Sequence, residues 1–401
     1  MSPGMSEPFD DPLHEPIPLS APDITQAEID AVTAVLRTPH LSLGPELPAF
    51  EAALAAYHGV PHAVAVSSGT AGLHLALLTL GIGEGDEVIV PSFAFIAVAN
   101  AVLQVGATPV FAEIDAATLN LDPQAVEAAV TSRTRAILVV HTFGVPAAME
   151  ELIAVARRNQ LSILEDACEA LGAEVEVGAG PSRRTQRVGS FGDLSVFGFY
   201  PNKQLTTGEG GAVLARDPAH AARLRSLRNQ GRSASGDWLD HVEHGYNYRL
   251  SEMACALGRV QLSRIDAMLA LRREAASRYD RLLRPATSNG IEGLELPPLT
   301  LPDCVISWFV YLVRLPEGVD RDAARAALAA RGIATGRYFA PIHLQQAWRS
   351  RANSQASSQT AQLPITEAVA RRTLALPFFN RITAEQQERV AVAVQQFLLR
   401  R

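Results

Sequence analysis

DEVIVPSFAFIAVANAVLQVGATPVFAEID, residues 86–115, holds two short apolar runs, EVIV at 87–90 and TPVFAEI at 108–114, on either side of a stretch whose apolar residues fall three and four apart. Runs rich in Val, Ile and Phe suit strands buried on both faces, and the spacing between them suits an amphipathic helix. The alternation continues in both directions. AVAV at 63–66, AILVV at 136–140, LSILED at 161–166, DLSVFGFY at 193–200 and GAVLA at 211–215 are further strand candidates, with TAGLHLALLTL and PAAMEELIAVARR as helices between them. This order predicts an α/β fold around a doubly wound, mostly parallel seven-stranded sheet.

Beyond it, RPATSNG at 284–290 marks a seam. Residues 301–314 read as a strand and RDAARAALAARG as a helix ending at Gly332, so the expected layout is a flexible tail over 1–19, a large domain over 20–284 and a small α+β domain over 285–401. GAGPSRRTQRVG at 178–189 and SRANSQASSQTAQ at 350–362 read as exposed insertions.

A chain of 401 residues is too long for one ordinary core, and 48% hydrophobic with 19% charged residues describes a soluble globular enzyme. No apolar run approaches a membrane span. The formal charge of −7 and the lack of a Lys/Arg stripe leave a nucleic-acid footprint unsupported, so small molecules are the expected partners. The amino terminus is acidic and proline-containing where a signal peptide would be basic and then apolar, which gives a cytoplasmic expectation. Cys168, Cys255 and Cys304 are odd in number and far apart, and with neither an HExxH nor a CxxC pair no disulfide framework or metal site is expected.

Three segments carry chemistry. In SSGTAGLHLAL, residues 67–77, a small-residue turn leaves a strand and opens a helix, so the first-turn N–H groups at Ser68, Gly69 and Thr70 can take an anion. The same residues also suit a plain helix cap. GIGEGDE at 81–87 precedes a strand instead of opening a helix and is no dinucleotide fingerprint. LEDACEA at 164–170 puts Asp166 at a strand end, where it can pair with a protonated ring nitrogen or cap the next helix, with Glu169 a turn beyond. In FGDLSVFGFYPNKQLTTGEGGAV, residues 191–213, Lys203 follows a strand in a turn crowded with small residues, which suggests backbone bent around a ligand instead of a solvated lysine. Such an amine can form a Schiff base and act as a general base.

With these segments in place, the chain resembles the DegT/DnrJ/EryC1/StrS family of sugar aminotransferases over nearly its whole length. LSLGPELPAFE at 41–51, HAVAVSSGTAGLHLAL, the 86–115 stretch, HTFG, EDACEALGA, the Lys203 segment, GYNYRLSEMACALGRVQL at 245–262 and RYFAPIHLQ at 337–345 follow the family's order. The resemblance implies fold type I, pyridoxal 5'-phosphate (PLP) held covalently by Lys203, Asp166 on the pyridinium nitrogen, Phe93 stacked on the ring, and Gly69 and Thr70 on the phosphate. Asn247 resembles the residue that reaches the neighbouring subunit's phosphate, which implies a homodimer with shared active sites. His343 and Arg249 are candidate substrate contacts by the same resemblance, though His343 equally suits a packed loop and Arg249 a pair with Glu252. Amino-group transfer from an amino acid, by family habit L-glutamate, to a nucleotide-linked keto-sugar is the implied reaction.

The pattern departs from the family twice. Gly198 stands where many relatives have a phosphate-binding Ser, and Glu169 where many have Gln. An anionic Glu beside a phenolate would repel it, so Glu169 is expected to be protonated or turned away. A same-fold sugar dehydratase would carry His in place of Lys203. A cyclitol ketone as acceptor stays open, and a non-catalytic PLP-binding regulator would need an added DNA-binding segment or a lost catalytic group.

Overall fold

The computed structural model describes residues 15–178, 180–233, 240–284, 293–349 and 362–400. Its centre is a sheet of β1 (His62–Val66), β2 (Glu87–Pro91), β3 (Thr108–Ala112), β4 (Thr134–Val140), β5 (Ser162–Asp166), β8 (Leu194–Gly198) and β9 (Gly211–Ala215), in the order β1-β9-β8-β5-β4-β2-β3. β9 alone runs antiparallel to its neighbours. These are the seven expected strands. Every residue of β2 and β9 is buried, as continuous apolar runs in a sheet covered on both faces require.

Three helices come early: α1 (Gln26–Leu36), α2 (Glu46–His58) and α3 (Gly69–Thr79). Helix α3 buries eight of its eleven residues between sheet and neighbouring helices, which explains why TAGLHLALLTL is apolar almost all round. Helix α2 is capped from a distance, because the Glu252 carboxylate accepts from the Glu46 and Leu47 N–H groups at 2.7 and 3.1 Å.

The insertion at 178–189 is not a simple loop. Its flanks form a hairpin of β6 (Glu174–Val177) and β7 (Arg184–Arg187), which pairs with β10 (Cys304–Val305) as a second sheet. Likewise 301–314 is two strands, β10 and β11 (Tyr311–Arg314), because Trp308 between them takes the left-handed conformation at φ +54°. β11 pairs with β12 (Thr373–Leu376), and RDAARAALAARG forms the helix Arg321–Ala329. The Ser/Gln-rich stretch from 350 to 361 and the seam residues 285–290 lie outside the described residues.

Two cores share one long helix. Helix Ile265–Leu283 places Ile265 and Leu269 in the core around α2 and β9, but Ala275, Ala276, Tyr279 and Leu283 in a second core with Trp308, Tyr311 and Leu376. That second core therefore starts inside the helix. Residues 15–19 are no tail either, since Ile17 is 1% exposed in the same core and pairs with Ile333. A branched aliphatic side chain fully removed from water holds a terminal segment down. Ile17→Ala should cost about 2–4 kcal/mol of stability, read as a lower midpoint in urea unfolding.

Candidate active site

The parallel strands end at a common edge, the usual ligand position of an open α/β sheet. Asp166 closes β5 there, nearly buried, and its Oδ1 accepts from the Cys168 N–H at 3.0 Å. On the turn out of β1, Ser68 caps α3 by accepting from the Ala71 N–H at 3.0 Å, which leaves the hydroxyl proton free to be given elsewhere. The cap and the anion site are thus compatible. Gly69 and Thr70 follow at the positive end of the helix, with N–H groups that the helix itself does not engage.

Position 69 is also crowded. A Cβ there would stand 2.9 Å from Cys168 Sγ and 3.3 Å from Gly198 Cα, and one at Gly198 would stand 3.2 Å from the same sulfur. The thiol at 168 thus crowds position 198, where a side chain would require the sulfur to give way by a few tenths of an ångström.

Lys203 sits in the turn between β8 and β9. Phe199 N–H donates to Gly210 O at 2.9 Å, Thr207 N–H to Phe199 O at 3.0 Å and Lys203 N–H to Tyr200 O at 2.9 Å, so the turn is cross-tied by its own backbone. The side chain is only 15% exposed, with Nζ 3.5 Å from Glu169 Oε1 and 4.0 Å from the centroid of the Phe309 ring. Gln204 Nε2 donates to Glu169 O at 2.6 Å and to Ser307 Oγ at 3.0 Å, which ties the residue after Lys203 to the Glu169 backbone.

Glu169 is turned toward Lys203, and its other oxygen accepts from the Phe143 N–H at 3.0 Å. Burial pushes its carboxyl above the ordinary range, against the pull of the Lys203 charge. Burial also raises the neighbouring Cys168 thiol, with the Asp166 charge adding to it, so this sulfur is a packed group and not a nucleophile.

Phe93 is fully buried, its ring set edge-on to Phe143 and Phe339 with centroids 6.0 Å away in each case. A ring that stacks on a cofactor needs an open face, and Phe93 has none to offer. Two residues on, Phe95 is 62% exposed in the turn leaving β2. His343 takes the packed-loop arrangement, with Nδ1 2.6 Å from Ser92 Oγ and Nε2 3.4 Å from Glu367 Oε1. Arg249 donates to Asn229 Oδ1 at 2.9 Å and not to Glu252, whose carboxylate caps α2. Asn247 is exposed, on a segment bridged to Asn229.

Sequence reading missed Arg272, Gln204 and Phe309. Arg272 lies in an arginine-rich helix where nothing in the spacing marks it, yet it is buried and donates to Trp308 O and Phe309 O at 3.1 Å and to Lys203 O at 3.3 Å.

A mostly buried lysine, a strand-end aspartate, a helix N-terminus and a glycine cradle fit PLP, and together with the sheet they define a PLP-dependent aminotransferase of fold type I. The chain belongs to the DegT/DnrJ/EryC1/StrS aminotransferase family, whose pattern matches residues 22–395. A GDP-perosamine synthase from Caulobacter vibrioides is 38% identical over 387 residues, 96% of this chain and 98% of that one. The crystal structure of DesV from S. venezuelae matches with a TM-score of 0.84 at 40% identity, over 96% of this chain and 99% of that one. DesI, solved with its TDP-sugar product, matches with a TM-score of 0.85 at 33% identity, over 97% and 94% of the two chains. Among the described residues no helix is long and apolar enough to cross a membrane, and no group of His, Cys, Asp and Glu is placed to hold a metal.

Because the folded-state pKa of Glu169 lies above its unfolded value, the neutral form favours folding and that contribution is lost as pH rises through the folded pKa. In cofactor-free protein, Glu169→Gln should melt with the wild type in acid and increasingly above it as pH climbs from 4.5 toward neutrality, in thermal scans across pH.

Proposed function

We propose that this protein moves an amino group from an amino acid, with L-glutamate as the expected donor, to a nucleotide-linked keto-deoxysugar. The observation that carries the reading is the Lys203 amine, held in a cross-tied turn and drawn out of solvent beside Glu169 and the Phe309 ring. The sugar-nucleotide class of the acceptor is supported by the relatives, among them a GDP-perosamine synthase and an enzyme solved with a TDP-sugar.

PLP, when bound, supplies the electron sink and the carbonyl to which an amine attaches. Lys203 would hold it covalently, and its freed Nζ would take and return the proton at the substrate carbon. Asp166 would keep the ring nitrogen protonated through a charge-assisted hydrogen bond. Ser68 Oγ–H and the Gly69 and Thr70 N–H groups would receive the phosphate, and the exposed ring of Phe95, in place of Phe93, would cover the cofactor face.

Glu169 would leave its neutral form near the cofactor's phenolic oxygen, where burial already favours a proton on it. The phosphate site would be completed by the partner subunit's Asn247, so the working form is a homodimer in the cytoplasm. The exposure of Asn247 in a single protomer supports this. Arg249, its guanidinium anchored by Asn229 beside that segment, is the better placed of the two substrate candidates, since His343 is held on both ring nitrogens.

Purified protein with PLP should show the visible band of lysine-bound cofactor, which bleaches on adding excess L-glutamate. Lys203→Ala should abolish the band and lower turnover by roughly 100-fold or more, and a wild-type band indifferent to glutamate would refute the donor. Phe95→Leu should weaken PLP binding in a titration while leaving the melting point of cofactor-free protein near wild type, whereas Phe93→Leu should lower that melting point.

A further inference from the structure

His74 is a buried titratable group that the chemistry above does not use. It lies on α3 one turn after Thr70, at the four-residue spacing that stacks two side chains on one helix face. Its ring meets Tyr246 edge-on at 4.7 Å and Tyr248 at 6.0 Å, and the two tyrosines are themselves stacked at 5.1 Å with planes 20° apart. Nδ1 is 3.4 Å from the Tyr248 hydroxyl, while Nε2 has no hydrogen-bond partner among the described residues. Burial pulls the imidazole toward its neutral form, so this is a ring contact and not an ion pair.

The tyrosines flank Asn247. Along this segment Gln230 N–H donates to Tyr246 O at 2.8 Å and Tyr248 N–H to Arg228 O at 3.0 Å, an extended run in which alternate side chains point to opposite sides. Tyr246 and Tyr248 therefore turn inward onto α3 and the core, and Asn247 turns out to solvent. The Ser67 N–H donates to Tyr248 O at 2.8 Å, joining the segment to the turn just before the phosphate cradle.

We propose that His74, Tyr246 and Tyr248 form a positioning clamp, which fixes the segment that presents Asn247 to the partner subunit onto the helix that builds this protomer's own phosphate cradle. The inference rests on the reading that Asn247 acts across the dimer. It makes cofactor affinity at one site depend on a histidine in the other subunit, and it assigns His74 no contact with substrate or cofactor.

Hybrid dimers test this. Two differently tagged chains, His74→Ala and Lys203→Ala, are co-expressed and the mixed dimer is isolated on both tags. Only the His74→Ala chain can give the visible band of lysine-bound cofactor, and its site is completed by the partner subunit's Asn247 on an intact clamp. The His74→Ala homodimer should bind PLP roughly fivefold more weakly than wild type, and the hybrid should return to the wild-type value. A hybrid as weak as the His74→Ala homodimer would place the effect in the protomer's own cradle and overturn the proposal, as would a homodimer of unchanged affinity. Asn247→Ala paired with Lys203→Ala is the separate control. Rescue there keeps the cross-subunit reading, and its failure removes that reading whatever His74 does. Tyr246→Leu, which removes the ring that His74 meets edge-on at 4.7 Å, carries the same test if the His74→Ala variant does not assemble.

Discussion

Arg272 brings a guanidinium into the interior and spends its planar fork on three backbone carbonyls, those of Lys203, Trp308 and Phe309. Burial lowers its pKa to about 10, which still leaves it charged at neutral pH. Hydrogen bonds from a charged donor are worth about 1.5–3 kcal/mol each, and here they pin the lysine turn of the large sheet to the left-handed Trp308 of the second core and to Phe309 beside it. The position of the Phe309 ring against Lys203 Nζ follows from that tie. A lysine at 272 would offer a point charge where a fixed fork is needed.

The second constraint is space at the strand edge. Gly69, Gly198 and Cys168 pack so closely that a Cβ at either glycine would press on the Cys168 sulfur. The departure at 198 is thus matched by a thiol two residues past the aspartate that ends β5. The cap hydroxyl and the free backbone N–H groups of α3, proposed above for the phosphate, owe nothing to a side chain at position 198. Glu169 follows a similar logic, because an acid with one oxygen on a backbone N–H and the other near an ammonium is accommodated without a counter-ion from solvent.

What the sequence made legible is what repeats locally. Each of the seven sheet strands holds an apolar run between turn residues, so pattern finds them without knowledge of their neighbours. The Lys203 turn is legible because small residues cluster after the lysine, where Gly208 takes φ +80° and Gly211 packs hard against the Ser68 and Phe197 backbone. The hairpin at 174–187 was hidden because its strands are polar and short, and they become strands only by pairing with each other and with β10. Phe93 and Phe95 could not be told apart by residue type: both lie in the turn after β2, and only packing against Phe143 and Phe339 decides which ring is covered. Arg272 and Phe309 reach the site from about 70 and 100 residues further along the chain, beyond the reach of local pattern.

Ile17 and Ile333 meet in the second core, to which Phe397 and Leu398 also contribute, while the seven-stranded sheet occupies the chain between. A ribosome releases these parts in the opposite order to their use. The sheet can close once β9 has emerged, but the segment around Ile17, made before the sheet, must wait for its bridge partner Ile333, which lies well beyond β9. Until then the Ile17 side chain has no native cover, and the segment that carries it stays open to other contacts while the rest of the second core is being made.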